Sequence, residues 1–252
     1  LLARTGLVVG GTAAFRQPQF EVNELGGGNV RLGVDGLGKS FGNRVLFEKL
    51  SCDFVPDEVN IILGESGSGK TTLLNIVGLF ERADAGVVSY DGEPVSGLSK
   101  NKTRQLIRSY VAYIYQDIRI FEDLTVDENL RLALRFSQVP KQEHRGVIDS
   151  MLVRVGLDGF QPRTAKELSG GEKQRIAIAR ALVANKKLIL ADEPTGALDE
   201  DSSQSVIDLI RDINERESCT VLLVTHSTLV ASQFEHRFWL RGGELHREGG
   251  EQ

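Results

Sequence analysis

Between two apolar runs, Val59 to Leu63 and Thr71 to Leu79, the chain reads Gly64-Glu65-Ser66-Gly67-Ser68-Gly69-Lys70-Thr71. The first run has strand length and the second reads as a helix, so the eight residues form a strand-to-helix loop of the pattern G-x-x-x-x-G-K-[ST]. Such a loop turns backbone N–H groups inward, and the helix N-terminus adds partial positive charge, so the loop cradles a phosphate chain. The glycines keep side chains out of that approach and permit positive φ. Lys70 supplies a mobile point charge for β- and γ-phosphates, and the Thr71 hydroxyl suits Mg2+. Gly64 to Thr71, with Thr72 behind them, are the nucleotide-binding residues this element predicts.

A chain of 252 residues suits one large α/β domain, or one domain with an inserted subdomain. A net charge of −5 argues against nucleic-acid affinity spread over the whole surface, leaving room only for a local basic groove. No run of about 18 apolar residues occurs, the length a membrane-crossing helix needs. Cys52 and Cys219 sit in strand-like runs without metal-ligand spacing and read as two buried, reduced thiols. Near the N-terminus, Leu7 to Val9 with Arg4 before it is a faint likeness of a secretory core, too short and broken by glycines. Residues 1–28 read as an extension, with Gly26-Gly27-Gly28 as a flexible joint.

Val30 to Val34 and Val45 to Phe54 alternate partly between apolar and polar residues, as half-buried antiparallel strands do. Further strands are expected at Val87 to Tyr90, Val111 to Tyr115, Leu188 to Ala191 and Thr220 to Val224. A short hairpin is expected around Gly242-Gly243. Helices are expected over Ser99 to Arg108, Ser169 to Ala184 and Asp201 to Arg216. From Asp117 to Leu168 the pattern turns helical. Thr125 and Glu128 open a helix that Leu130, Leu134 and Phe136 continue, and a second runs from about Gln142 to Val155. The expected fold is α/β: a core from residues 29–116 and 169–247 with a mostly parallel sheet and an antiparallel β part, and a helical subdomain inserted at 117–168.

Leu188-Ile189-Leu190-Ala191-Asp192-Glu193 is a continuous apolar run ending in two acids. Such a run suits a strand buried on both faces, and ligands in open α/β sheets bind beyond the carboxyl ends of the strands. Asp192 is therefore placed to hold Mg2+ through water, and Glu193 to polarise the water that attacks a γ-phosphate. Two other strands end in Gln116 and His226. Gln116 can ligate Mg2+ and sense the γ-phosphate, and His226 can hydrogen-bond the γ-phosphate and orient the water. Together with Lys70 and Thr71, four strand ends would deliver these groups to one edge of one sheet.

In Leu168-Ser169-Gly170-Gly171-Glu172-Lys173-Gln174, Ser169 and Glu172 make a capping box. The cap leaves Gly170 and Gly171 unexplained, since both are poor formers in a first turn. Bare backbone there lets an anion approach a helix N-terminus closely, which suggests the nucleotide of a partner subunit.

With these motifs the chain resembles an ATP-binding cassette (ABC) ATPase subunit over about residues 29–247, within the P-loop NTPase folds. Gly64 to Thr71 match Walker A, Gln116 the Q-loop, Leu168 to Gln174 the signature, Leu188 to Glu193 Walker B, Ala197-Leu198-Asp199 the D-loop and His226 the switch histidine. The resemblance implies ATP and Mg2+ as ligands. It also implies a head-to-tail dimer with two ATP molecules at the interface, where Ser169, Gly170, Gly171 and Glu172 of one subunit face the nucleotide held by Lys70 of the other. Asp199 would couple the two sites. Phe41 matches the aromatic position beside the adenine, where the family more often has Tyr. Lys173 stands where Gln is common, and Ser227 where Asp is common.

Glu193-Pro194-Thr195-Gly196-Ala197-Leu198-Asp199 and Leu73 to Gly78 are similar to the lipoprotein-release, macrolide-export and cell-division branch, whose ATPases typically pair with a separate permease. A chain of that kind would sit in the cytoplasm, held to the inner face of the membrane by its permease, with Ile118 to Leu124 either beside the permease's coupling helix or packed within the helical insertion. Two other readings share the ATPase. One is a regulatory module pulling on a membrane partner without transport. The other is a soluble ABC protein acting on DNA or ribosomes, which the lack of sustained heptads and of a second cassette disfavours.

Overall fold

The computed structural model describes residues 30–248, apart from Gln138 and Ala197. The extension read at 1–28 and Ala197 of the D-loop lie outside the described residues. The chain runs β1 (Leu32–Phe41), β2 (Arg44–Asp53), β3 (Val59–Leu63), α1 (Lys70–Val77), β4 (Ala85–Tyr90), β5 (Glu93–Pro94), α2 (Lys100–Tyr110), β6 (Val111–Ile114), α3 (Val126–Leu134), α4 (His144–Arg154), α5 (Gly170–Leu182), β7 (Leu188–Asp192), α6 (Glu200–Glu217), β8 (Thr220–Thr225), α7 (Thr228–Ala231), β9 (His236–Arg241) and β10 (Glu244–Arg247).

The strands form two sheets. The core sheet has the order β10-β9-β3-β8-β7-β6, parallel throughout except for β10, which returns antiparallel to β9. The second sheet, β2-β1-β4-β5, is antiparallel. Every residue of β3, β7 and β8 is buried, which is why these strands are apolar without alternation.

Successive residues of these strands enter different cores. Ile61, Ile189, Ala191, Val221 and Leu223 join the core built with α3, α4, α5 and α6. Ile62, Leu188, Leu190, Leu222 and Val224 join the core built with α1, α2 and the antiparallel sheet. The helical insertion shares its core with the main sheet, since Val126, Leu130, Ile148 and Leu152 lie in one cluster with Ile176 and Ile189. Its position is therefore tied to α5.

The structure differs from the sequence expectation at several edges. β1 runs to Phe41, beyond the expected Val34, because Gly33, Gly36 and Gly38 break the alternation and the pairing with β2 shifts register along it. α3 stops at Leu134. Phe136 lies past its end, 58% exposed under the Arg108 guanidinium. Cys52 is only half-buried while Cys219 is buried, and burial pushes both thiols up to about 12. α7 and the two-residue β5 carry no signal strong enough to read in advance.

One buried polar group anchors the P-loop strand. Asn60, fully buried in β3, accepts from the Val55 N–H at 2.9 Å and donates to the carbonyls of Val55 and Glu58 at 2.9 and 3.1 Å. Asn60→Leu leaves those backbone groups without their partner and should cost about 1–3 kcal/mol. The expected result is a lower urea midpoint at an unchanged slope.

Candidate active site

The loop after β3 adopts the geometry its glycines allow. Gly67 and Gly69 have φ of 77° and 104°, in the left-handed region, and a Cβ on Gly64 would lie 2.8 Å from the Leu240 carbonyl. Lys70 opens α1 and is buried. Its Nζ donates to the carbonyls of Gly64 at 2.8 Å and Glu65 at 3.0 Å, so the ammonium lies over the loop. Ser68 Oγ is buried and has no hydrogen-bond partner among the described residues. A loop of bare backbone with an unpartnered hydroxyl and an ammonium above it fits a polyphosphate.

Beside this loop, Arg44 at the start of β2 donates from Nη2 to the Gly67 carbonyl at 2.5 Å. Arg44 carries no motif and was not legible as a site residue. It lines a cleft of about 640 Å3 with Gly67, Ser68 and the Gly242-Gly243 turn. Phe41, at the end of β1, is 51% exposed, and the Lys39 ammonium lies over its ring 4.9 Å from the centre.

The four strand ends do converge. β3, β8, β7 and β6 are consecutive neighbours, and their register sets Leu63 opposite Thr225, Asp192 opposite Val224, and Ile114 opposite Ala191. Thr71 Oγ1 donates to Asp192 Oδ1 at 3.1 Å. Burial lifts the Asp192 carboxyl above its usual range, opposed by the Thr71 hydroxyl. A hydroxyl and a carboxylate side by side at a phosphate loop are oxygen donors suited to Mg2+.

Glu193 follows with φ 47°, a left-handed conformation that costs a non-glycine residue roughly 1–2 kcal/mol. Its N–H bonds to the Val224 carbonyl at 3.0 Å, which fixes the sharp exit from β7. His226 Nδ1 lies 2.8 Å from Glu193 Oε2, and the His226 N–H donates to the same oxygen at 3.4 Å. Gln116, just past β6, is exposed, with Nε2 3.9 Å from where a Cβ on Gly196 would lie. Walker-type residues from four strands therefore reach one edge, with Gln116 beside the turn that follows Glu193.

α5 begins with both halves of its capping box. Ser169 N–H donates to Glu172 Oε2 at 2.7 Å, and Glu172 N–H donates to Ser169 Oγ at 3.3 Å. A Cβ on Gly170 would meet no atom within 4 Å. Asp199 caps α6, accepting from Ser202 N–H at 2.9 Å and Ser202 Oγ at 2.8 Å, and the Ser202 N–H holds its carboxylate below the usual range. Lys173, the departure from Gln, pairs with Glu122 at 2.5 Å and so ties the signature helix to the segment after Gln116.

This combination of a P-loop, acids at the end of a parallel strand two places away in the same sheet and a second glycine-bearing helix start defines a nucleotide-hydrolysing cassette. Residues 47–196 match the ABC transporter family, and the chain belongs to it. It is 38% identical over 184 residues to the lipoprotein-releasing system ATP-binding protein LolD of Hydrogenovibrio crunogenus, covering 73% of this chain and 80% of LolD. Over 221 residues it is 34% identical to the macrolide export ATP-binding/permease protein MacB of Escherichia coli, covering 86% of this chain but 34% of MacB. Its fold is similar to the dimeric post-hydrolysis structure of the ATP-binding cassette MJ0796 bound to ADP and Pi. That match has a TM-score of 0.77 and 31% identity, over 86% of this chain and 97% of MJ0796. The chain is thus an ATP-binding subunit of the ABC class, in the neighbourhood of the lipoprotein-release and macrolide-export cassettes.

Lys70→Ala removes the ammonium held over the loop. ATP affinity measured by calorimetry should fall at least about tenfold, as the loss of a charge-assisted contact worth about 1.5–3 kcal/mol requires. Wild-type affinity would exclude the phosphate role of Lys70.

Proposed function

We propose that two copies of this chain close head-to-tail on two ATP molecules and that the closure drives a separate membrane permease. The observation carrying this reading is the start of α5, a capped helix N-terminus with open space over Gly170. The chain's own P-loop already serves its own phosphate, so this second anion-accepting turn, formed by Ser169, Gly170, Gly171 and Glu172, is left for the nucleotide of a second copy. The dimeric state of MJ0796 supports the arrangement.

In this reading Phe41 stacks on the adenine, while Gly64 to Thr72 hold the phosphates and Lys70 shifts from the loop carbonyls to the β- and γ-oxygens. Thr71 and Asp192, with Gln116, hold Mg2+, which neutralises charge on those phosphates. Glu193 accepts the proton of the attacking water. His226, already against Glu193, orients that water and bonds the γ-phosphate. Asp199, at the head of α6, couples the two sites.

The permease reading draws on the names of the relatives, since MacB is named as ATP-binding and permease together. It also draws on the surface. Phe121 is 56% exposed and Ile118 36%, both following Gln116, whereas Ile120 packs into the core. No helix among the described residues is long and apolar enough to cross a membrane. The chain would then work in the cytoplasm, peripheral on the inner face of the membrane through its permease, with no nucleic-acid partner.

Two substitutions test the reading. Glu193→Gln should bind ATP but stall as a dimer, read by gel filtration with and without ATP, because the water loses its base while the phosphate contacts remain. Hydrolysis at the wild-type rate would remove Glu193 from that role. Phe121→Asp should leave ATP affinity unchanged while the protein disappears from washed membranes. Full retention on membranes would locate the permease contact elsewhere.

A further inference from the structure

Gln174 lies in the second turn of α5, 3% exposed, and its Nε2 donates to the Pro194 carbonyl at 3.0 Å. Pro194 directly follows Glu193 and opens the turn that ends at Asp199. Neighbouring carbonyls are bonded locally. Glu193 O accepts from Gly196 N–H at 3.0 Å, and Thr195 O accepts from Leu198 N–H at 3.1 Å. The Pro194 carbonyl instead takes its bond from α5, and proline has no N–H with which to bond elsewhere. The same helix meets the other end of the turn, since a Cβ on Gly171 would lie 3.5 Å from Ser202 Oγ, which donates to Asp199.

α5 is held as a unit by Ile176, Ile178, Ala179 and Leu182, all buried. A displacement of its N-terminus therefore reaches Pro194 through the hydrogen bond of a buried side chain rather than through an exposed, mobile one.

We infer that Gln174 is a positioning residue linking the two nucleotide sites of the dimer. When Ser169, Gly170 and Gly171 close on the nucleotide of the partner subunit, Gln174 carries that movement to the turn that aims Glu193 in its own subunit. Closure of one site thereby completes the other. The inference rests on the head-to-tail dimer of the proposed function.

Gln174→Met keeps the length and removes the donor. Gln174→Glu keeps the shape but faces the Pro194 carbonyl with a carboxylate. ATPase rate is measured against ATP concentration, and ATP affinity separately at subunit concentrations too low for dimers. Both variants should bind ATP within about twofold of wild type, while kcat falls about tenfold and the Hill coefficient drops from about 2 to about 1. Unchanged kcat and cooperativity in either folded variant overturn the inference. A parallel loss of affinity and kcat also overturns it, because it marks Gln174 as ordinary packing. ATP-dependent dimerisation of Glu193→Gln with Gln174 intact is the separate control. Its absence removes the dimer itself, whereas its presence beside a cooperative Gln174→Met removes only the link.

Discussion

Asp192 and Val224 are register partners on adjacent parallel strands, Leu63 is the partner of Thr225 one strand further, and Ala191 is the partner of Ile114 on the other side. This in-register pairing is the constraint on which the rest of the site depends. In a parallel sheet all chains exit at the same edge, so residues distant in sequence emerge side by side. The loop of Lys70, the acids at 192 and 193, Gln116 and His226 are neighbours because four strands end together. The register is in turn fixed by burial on both faces, since a slip of one residue would exchange the occupants of the two cores.

The second sheet and the helical insertion act through contacts with that edge. Arg44 joins the antiparallel sheet to the P-loop at Gly67, and Lys173 joins the signature helix to Glu122 just beyond the Q-loop. Backbone bonds from Val126 to Arg163 and from Ala165 to Leu124 zip the segment after Gln116 to the segment before Ser169. The stretch bearing exposed Phe121 and the stretch bearing Gly170 thus form one unit. A partner pressing on the first would move the second.

Much of this was legible because the signals are local. The P-loop, the apolar run before Asp192, and the capping boxes at Thr125 and Ser169 each fix their own structure from neighbouring residues, and each is found where it was expected. Contacts between distant segments were not legible. Nothing in the sequence marks Arg44 as reaching Gly67, or Gln174 as buried rather than exposed on its helix. The left-handed φ of Glu193 was equally hidden, because local propensity disfavours it and the bond to Val224 from a neighbouring strand imposes it. The end of α3 was overestimated for a related reason. Phe136 continues the apolar spacing but stacks against Arg108 outside the helix instead of entering the core.

The central claim is that each nucleotide site is built from the P-loop of one copy and the α5 start of another. A mixture of two defective chains tests it most directly. Lys70→Ala weakens ATP binding in its P-loop, and Gly170→Glu, at a position where a Cβ meets no atom within 4 Å, repels phosphate from its α5 start. Each alone should fail to occlude ATP. With Glu193→Gln added to both chains so that bound ATP is not hydrolysed, an equimolar mixture should form dimers that trap ATP at the one composite site with an unaltered P-loop and α5 start, read as protein-bound labelled ATP after rapid desalting. No trapped ATP in the mixture, or trapping by the Gly170→Glu chain alone, would contradict the account.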